Sequence, residues 1–461
     1  MRAPRNVDRS LDAGLQRIRE QFQVPSGFGP EAALAAVQAA RREPGPEHVD
    51  RTDRHFVTLD PAGATDLDQA FAMETAGPDI VLHYAIADVG FFVQPSDALD
   101  VEAWNRGLTI YLPDERARLY PAALSEGAAS LLPDGPRPAV VFTVLVAEDG
   151  ASRLDGVERA LVRSRAKLAY DTVQPADLPP EFTELSRRIV AAEERRGAPR
   201  VEFPEQELER VDGRWVLRFD PRLASEDDNA GMSLATNLAV ADAMLAAGTG
   251  LFRVMAEPTE RAVERLRRTA RAFGLDWPSA TSLADFQRSL STSDARSAAF
   301  LVAVRRAGGG ASYEAFAEAA TPWHAAMAAT YAHATAPLRR LADRYVVETT
   351  LAIANGRAVP DDVQRALAAL PTTMETAEQR ANSVDRAVID LAEAVLLAGR
   401  EGEVFDAVVV DEDDRGAVVQ VVDPAVLARV PAKRVDPGDE VRVQLAKADP
   451  IERKIEFTRV G

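Results

Sequence analysis

The chain has 461 residues, 46% of them hydrophobic, and no cysteine, so it can bury a large core but has no disulfide, thiol nucleophile or thiolate metal site. Its formal charge of −18 at pH 7 argues against a protein that coats nucleic acid with a uniformly basic surface, although a local basic channel is compatible with it. The opening segment lacks the apolar core of a signal peptide and no apolar run approaches roughly 20 residues, so we expect a cytoplasmic protein without a membrane span.

Residues 1–50 contain two helical patterns, which we interpret as a small helical N-terminal segment. LDAGLQRIREQF has apolar residues at three- and four-residue spacings, and GPEAALAAVQAARR has Pro30 near its first helical turn. These helices could form a helix-turn-helix-like module or pack against the main body, and the second arrangement is the commoner one. EPGPEHVDRTD then predicts a linker.

Residues 51–398 predict an α+β domain, in which strands are followed by a block of helices. HFVTLD, IVLHYAIADVGFFV, PAVVFTVLVAEDG and RALVRSRAKLAY are rich in valine, isoleucine and aromatic residues, which favours strands. SDALDVEAWNRG starts with Ser/Asp and stops at Gly, which predicts a helix. From about residue 229 the apolar spacing is helical, and in PLRRLADRYVVETTLAIANG Pro337 is a good first helical residue.

Residues 399–461 change composition again and predict a separate barrel. Short apolar segments alternate with turn residues, and five strands in about sixty residues match an OB-type fold.

An acidic cluster lies in TLDPAGATDLDQAFAM, residues 58–73, where Asp60, Asp66 and Asp68 fall within nine residues. Carboxylates at this spacing repel one another unless a cation lies between them, and Mg²⁺ or Mn²⁺ prefers oxygen ligands. On an extended segment Asp66 and Asp68 point the same way, and the PAGA turn lets Asp60 return to them. Taken alone, such spacing more often marks a solvated acidic turn or helix caps, and an EF-hand calcium loop fits poorly.

Several longer motifs occur in one order along the chain: LDPAGATDLDQAF, AIADVGFFVQPSDALDVEAWNRGLTIYLPD, YPAALSEGAASLLP, SRAKLAYDTV, MSLATNLAVADAML and YAHATAPLRRLADRYV. With these motifs the chain resembles the RNB catalytic domain of the ribonuclease II family over roughly residues 52–395, and its closing barrel resembles the S1 RNA-binding domain of that family. The resemblance implies a 3′→5′ exoribonuclease that hydrolyses single-stranded RNA to nucleoside 5′-monophosphates with Mg²⁺, for which Mn²⁺ could substitute.

The resemblance also implies catalytic and metal-binding residues. Asp60, Asp66 and Asp68 match the first three acids of a four-acid metal site, and Gln69 occupies the fourth position. Gln69 keeps an oxygen that can ligate a cation but removes one negative charge, although strand alternation would point it away from the site. Arg339 matches the arginine that contacts the scissile phosphate, at what we expect to be a helix N-terminus. The alternative is an RNA-binding pseudoenzyme whose metal site is disabled by Gln69.

The RNA-binding residues implied by the resemblance are Arg340, beside the catalytic arginine, Tyr111 and Phe203, which would clamp terminal bases, and Asp385, near the RNA end. Their blander interpretations are a solvated helix face and ordinary core aromatics. In the barrel we expect a basic, RNA-facing strip formed by Arg429, Lys433, Arg434 and Arg442. We expect a monomer whose partner is single-stranded RNA, with no membrane association.

Overall fold

The computed structural model describes residues 5–199, 205–211, 214–220, 223–290, 295–413, 416–421, 426–431, 435 and 438–460. Within these ranges, no helix is both long enough and apolar enough to cross a membrane.

Two helices come first, followed by a region of mostly strands, a block of mostly helices and a final group of strands. The helices are α1 (Arg5–Gln21), α2 (Pro30–Ala39), α3 (Val89–Phe92), α4 (Ala98–Arg106), α5 (Phe182–Arg196), α6 (Ala224–Ala246), α7 (Glu260–Ala272), α8 (Leu283–Arg288), α9 (Ala295–Ala307), α10 (Leu341–Ala354) and α11 (Asp361–Leu397). The strands are β1 (Val49–Asp50), β2 (Phe56–Asp60), β3 (Gln69–Ala76), β4 (Asp79–Ala87), β5 (Ile110–Tyr111), β6 (Arg116–Ala117), β7 (Arg137–Val146), β8 (Ser152–Val162), β9 (Ser164–Ala169), β10 (Glu205–Val211), β11 (Arg214–Asp220), β12 (Leu251–Val254), β13 (Ser312–Ala315), β14 (Val404–Asp413), β15 (Gly416–Val421), β16 (Val426–Val430), β17 (Glu440–Asp449) and β18 (Lys454–Arg459).

A seven-stranded mixed sheet in the order β1-β8-β7-β4-β3-β2-β9 forms the centre of the molecule. Its two outermost pairs, β1 with β8 and β2 with β9, are parallel, and the pairs between them are antiparallel. Helices α6 and α10 pack on the sheet, and β4 is buried along nearly its whole length. This architecture confirms the predicted α+β class.

The two N-terminal helices pack on the main body. On α1, Leu11, Leu15 and Ile18 are fully buried in one cluster with Val388 and Leu391 of α11. Helix α2 packs on α4. Of the two arrangements left open by the sequence, the structure therefore has packing against the body.

Helix α4 and strand β4 show how local signals succeed and fail. Asp97 caps α4 by accepting a hydrogen bond from the Asp100 amide, and Gly107 ends the helix at a positive φ of 72°, as the sequence predicts. By contrast, the long apolar run that predicts one strand is broken after Ala87. Asp88 accepts a hydrogen bond from the Phe91 amide at 3.1 Å and caps the short helix α3.

The predicted helix start at Pro337 is wrong, because α10 begins four residues later, at Leu341. Arg340 has extended backbone angles, φ −133° and ψ 124°, and forms an isolated β-bridge with Leu108. Asp343 accepts a hydrogen bond from the Ala336 amide at 2.8 Å and so holds the preceding segment in a turn. Strands β12 and β13, which pair with each other, also interrupt the block that the sequence predicts as helical.

The C-terminal strands form a five-stranded antiparallel sheet in the order β16-β15-β14-β17-β18, whose end strands approach each other as in a nearly closed barrel. Its core includes Val409, Val419, Val443 and Phe457. The predicted OB-type fold is confirmed. The predicted basic strip stays a prediction: Lys433 and Arg434 lie outside the described residues, Arg429 is exposed on β16, and Arg442 stands opposite Asp406 across β14 and β17.

Candidate active site

Residues 60–69, which we call the acid loop, join β2 to β3 and are fixed by their backbone. The Leu67 amide donates to Ser130 Oγ at 2.9 Å, and Ser130 Oγ donates to the Thr65 carbonyl at 2.8 Å. Lys167 Nζ donates to the Ala62 carbonyl at 2.9 Å. The backbone at Ala62, Thr65 and Leu67 thus has defined partners, so the carboxylates project from a well-supported backbone.

The three carboxylates of the acid loop differ in their partners. Asp60 ends β2, and burial raises its pKa to about 6; its Oδ2 is buried and has no hydrogen-bond partner in the described part of the chain. Asp66 Oδ1 lies 2.7 Å from Nη1 of Arg116. Asp68 Oδ1 accepts a hydrogen bond from the Leu338 amide at 2.7 Å, and burial raises its pKa to about 8. The site therefore holds buried acids whose charge is incompletely compensated.

Arg339 and Arg340 have different surroundings although they are adjacent. Arg339 Nε lies 3.5 Å from Asp68 Oδ2, and its half-exposed side chain lines the same cavity as the acid loop. Arg340 donates to both oxygens of Asp343, at 2.9 and 2.7 Å, and is absent from the cavity lining. Arg339 is therefore the residue of this pair that can contact a phosphate without breaking a buried ion pair.

Gln69 lines the cavity, but both ends of its side-chain amide have partners. Nε2 donates to the Thr335 carbonyl at 2.7 Å, and Oε1 accepts a hydrogen bond from the Tyr84 hydroxyl. These bonds fix the side chain between β4 and the segment that carries Arg339. The amide oxygen keeps one lone pair for a cation, while its other lone pair accepts the hydrogen bond from Tyr84.

The donor set fits a hard divalent cation in its chemistry. Asp60, Asp66 and Asp68 line one cavity, the free Oδ2 of Asp60 lacks a donor, and a cation would favour the ionised forms of Asp60 and Asp68. In the described ranges, no three acidic or histidine side chains are grouped closely enough to hold a metal as they stand. Binding would therefore require the carboxylates to move closer together. Asp66 would then divide its charge between Arg116 and the ion.

The cavity has a volume of about 1170 Å³ and extends from the acid loop along α5 and α6. Tyr111 lines it with 43% of its surface exposed, and its hydroxyl lies 3.4 Å from Asp66 Oδ2. The Arg116 guanidinium lies 5.7 Å from the centre of the Tyr111 ring. An exposed aromatic ring beside the carboxylates offers a stacking surface for a base.

Two other residues expected from the sequence, Asp385 and Phe203, are not found in the cavity wall that the structure describes. Asp385 is exposed on α11 and is absent from the cavity lining, and Phe203 lies outside the described residues.

Three further residues that were not predicted from the sequence line the cavity: Arg116, Tyr170 and Asn229. The Tyr170 hydroxyl accepts a hydrogen bond from Asn229 Nδ2 at 2.8 Å, and burial next to Asp60 raises the pKa of Tyr170 to about 12. Arg116 had one local signal, its place in a turn closely following Tyr111. Tyr170 and Asn229 had none, because only the fold brings them to the acid loop.

Comparison with known families agrees with this architecture. The family model described as the RNB domain matches residues 48–354, and the one described as the RNase II-type exonuclease C-terminal S1 domain matches residues 403–460. The chain belongs to the RNB family and carries the C-terminal S1 domain of RNase II-type exonucleases.

Curated relatives cover different shares of the chain. Exoribonuclease 2 of Cronobacter sakazakii is 28% identical over 413 residues, which are 83% of this chain and 62% of that protein. Exoribonuclease 2 of Vibrio parahaemolyticus is 31% identical over 236 residues, 47% of this chain and 34% of that protein. Ribonuclease R of Thermotoga maritima is 24% identical over 510 residues, 98% of this chain and 71% of that protein. The chain thus spans less than two thirds of the two exoribonucleases 2.

Solved structures share the fold. Mycoplasma genitalium RNase R in complex with ribose methylated single-stranded RNA superimposes with a TM-score of 0.87 at 18% identity, covering 98% of this chain and 78% of that chain. Yeast Ssd1, a pseudonuclease, superimposes with a TM-score of 0.71 at 16% identity, covering 94% and 57%. The same fold therefore occurs in a protein named as a ribonuclease and in one named as a pseudonuclease.

Proposed function

We propose that the chain is a 3′→5′ exoribonuclease that hydrolyses single-stranded RNA to nucleoside 5′-monophosphates in the presence of Mg²⁺. The observation that carries the proposal is the meeting of Asp60, Asp66, Asp68 and Arg339, from two distant segments, in one large cavity. Membership of the RNB family and relatives named exoribonuclease 2 and ribonuclease R support the same activity. Single-stranded RNA as substrate agrees with the S1 domain and with an aromatic ring at the cavity wall.

The roles follow from the surroundings of each side chain. Asp60, Asp66 and Asp68 would hold Mg²⁺, which when bound neutralises phosphate oxygens and activates water near neutral pH. Arg339 would contact the scissile phosphate with its exposed guanidinium. Asp68 has a second task, because its bond to the Leu338 amide fixes the residue next to Arg339.

The terminal nucleotides would be held by stacking. Tyr111 offers its exposed ring beside Asp66, and Phe203 is proposed as the second clamp. Neither Arg340 nor Asp385 lines the cavity, so any contact of Asp385 with RNA would lie outside it. Arg340 would act indirectly, by stabilising with Asp343 the turn that carries Arg339.

A purified-protein assay tests the activity. A 5′-labelled oligoadenylate is incubated with and without Mg²⁺, and released AMP is measured by chromatography. We expect labelled products that shorten stepwise and AMP that accumulates only with Mg²⁺. Intact RNA at every Mg²⁺ and Mn²⁺ concentration, together with retained binding, would overturn the proposal.

The second candidate, an RNA-binding pseudoenzyme, is favoured by Gln69, whose oxygen already accepts the Tyr84 hydroxyl and whose neutral side chain adds no charge to the site. Titration of Mg²⁺ against wild type and Gln69→Asp separates three roles of this position. A lower Mg²⁺ requirement in the variant indicates that Gln69 ligates the ion weakly. Superimposable curves assign Gln69 to positioning, and activity in the variant alone identifies wild type as the pseudoenzyme.

A further inference from the structure

Arg196 and Trp323 also line the cavity, and Arg196 Nε donates to the carbonyl of Met327, four residues after Trp323. Arg196 is the last residue of α5, and Trp323 belongs to the segment that leads to the Arg339 turn. The charged groups that act on Arg196 are Glu193, Arg195 and Asp242, and none of the acids of the acid loop is among them. Arg196 is therefore not an ion-pair partner of the carboxylates of the acid loop.

Arg196 has a terminal nitrogen, Nη2, without an acceptor among the described residues. Its Nε donates to the Met327 carbonyl at 3.4 Å, whereas its Nη2 is buried and finds no acceptor among the described residues. Burial lowers the pKa of Arg196 even though Glu193 and Asp242 attract its charge. A guanidinium carries its N–H donors in a fixed plane, so an oxyanion in the cavity would offer Nη2 an acceptor.

Trp323 is held rigidly while its ring stays accessible. The Met255 amide donates to the Trp323 carbonyl at 3.0 Å, and the Ala325 amide donates to the Met255 carbonyl at 2.9 Å. The side chain nevertheless keeps 44% of its surface exposed and lines the cavity. An exposed indole on a fixed backbone offers a flat surface on which a nucleobase can stack.

We propose that Arg196 and Trp323 form a second RNA-contacting subsite, in which Arg196 binds a backbone phosphate and Trp323 stacks on a base. The bases concerned lie upstream of those held at Tyr111, so this proposal rests on the proposed function for the direction of the chain. Single-stranded RNA is the occupant because the subsite shares one cavity with the acid loop, and because it pairs a cation with an aromatic platform.

The consequence is a dependence on RNA length. An oligonucleotide that reaches only the acid loop cannot use the subsite, whereas a longer one gains the contacts of Arg196 and Trp323. Loss of either contact should therefore weaken binding of long RNA and leave a tetranucleotide unaffected.

The first experiment measures affinity for an oligoadenylate of about twenty nucleotides and for a tetranucleotide, with a chelator present so that neither is cleaved. Arg196→Ala should weaken binding of the longer RNA about tenfold and reduce the slope of log affinity against log salt by about 0.7, the value for one phosphate contact on a single strand. The matched control is Arg195→Ala, because Arg195 precedes Arg196 on α5, is exposed and does not line the cavity. Equal affinities of the two alanine variants would overturn the proposal.

A structural role of Arg196, in holding Met327, is tested separately. If Arg196→Ala lowers the melting temperature, Arg196→Gln takes its place, because glutamine can still donate to the Met327 carbonyl without a charge. We expect Arg196→Gln to bind long RNA as weakly as Arg196→Ala. Wild-type affinity and salt slope in Arg196→Gln would assign Arg196 to the loop alone and reject the phosphate contact.

The second experiment uses intrinsic fluorescence, since the chain has only four tryptophans. RNA should quench wild-type emission, and Trp323→Phe should lose most of that quenching while keeping affinity within about threefold, because phenylalanine still stacks. Trp323→Ala should weaken binding of long RNA about tenfold. If RNA quenched the emission of Trp323→Phe as strongly as that of wild type, the proposed stacking of Trp323 on a base would be rejected. Both experiments measure binding without cleavage. The subsite can therefore be rejected while the hydrolysis assay succeeds, and hydrolysis can fail while the subsite is supported.

Discussion

Two regions of the molecule bury carboxylates and treat them in opposite ways. Asp88 is buried, yet hydrogen bonds from His48 Nε2 at 3.1 Å and Arg159 Nε at 2.8 Å outweigh burial and hold its pKa below the ordinary value. In the acid loop, burial prevails and raises the pKa of Asp60 and Asp68. Burial alone does not define a site. What distinguishes the acid loop is negative charge that the protein leaves for another group to balance.

The largest expected effect is on cleavage by Asp68→Asn. Asparagine keeps the shape of the side chain and an acceptor for the Leu338 amide but removes the charge that a cation would balance. We expect hydrolysis to fall at least about a hundredfold while single-stranded RNA still binds. Single-turnover rates and binding curves measure the two separately. Activity within a few-fold of wild type would remove Asp68 from the catalytic centre.

Asp88→Asn should show the reverse pattern. Removing this charge leaves Arg159 and His48 without their shared buried partner, which should lower the free energy of unfolding by about 3 kcal/mol. Hydrolysis per folded molecule should stay unchanged. Urea unfolding gives the stability, and Asp155→Asn is the control, because Asp155 pairs with Arg153 on the surface at 3.1 Å. Equal stabilities of the two variants would contradict the comparison.

Glu393 sharpens the comparison, because it is a buried acid with a raised pKa outside the cavity. Gln206 Nε2 and the Leu427 amide donate to it at 3.1 and 3.3 Å, yet burial raises its pKa to about 7. Since this exceeds the ordinary value of 4.5, its contribution to stability is fully present below about pH 4.5 and is lost as the pH rises through 7.

Glu393→Gln removes this titration. We expect wild type to lose about 2 kcal/mol relative to the variant between pH 5 and pH 8, measured by urea unfolding at both pH values. Glu375→Gln, an exposed position on the same helix, is the control. Hydrolysis by Glu393→Gln should equal that of wild type at pH 7. If the free energies of unfolding of wild type and Glu393→Gln changed equally between pH 5 and pH 8, the pKa of Glu393 would not be raised, and its hydrogen bonds would offset burial as they do at Asp88.

Tyr111→Ala has the smallest expected effect. It tests a stacking contact rather than a buried charge, and its readout is the length of the final RNA product. One stacking contact contributes on the order of 1–3 kcal/mol, so the variant should release RNA at a different final length while folding normally. Gel analysis of the limit product from 5′-labelled oligoadenylate measures this, with Tyr111→Phe as the variant that keeps the ring. The same limit product in Tyr111→Ala as in wild type would assign Tyr111 to structure.

Much of the fold could be predicted because its signals are local. Asp97 and Gly107 bound α4, runs rich in valine, isoleucine and aromatic residues mark the sheet, and short apolar segments separated by turn residues mark the barrel. The errors arose where a side-chain hydrogen bond to the backbone overrides the local pattern, as at Asp88 and Asp343. Pro337 permits a helix start, but the bonds of Asp343 to Ala336 and Arg340 keep that segment in a turn.

In the site, the sequence identified the acids but not their partners. The donor to Asp68 is a backbone amide, which has no residue-specific signature, and the partner of Asp66 is one arginine among many. The engagement of Gln69 by Thr335 and Tyr84 likewise depends on tertiary packing. The metal-binding, catalytic and RNA-binding roles of the sequence-derived residues stay predictions.

The bond between the Leu338 amide and Asp68 joins positions 270 residues apart. During translation the acid loop emerges long before its partner exists, and at 5–20 residues per second the interval is about 15–50 seconds. Throughout that interval a nascent chain has the acids but neither Leu338 nor Arg339. Under the proposed function, hydrolysis needs both segments, so the messenger RNA would not meet a complete site while the ribosome reads the intervening codons.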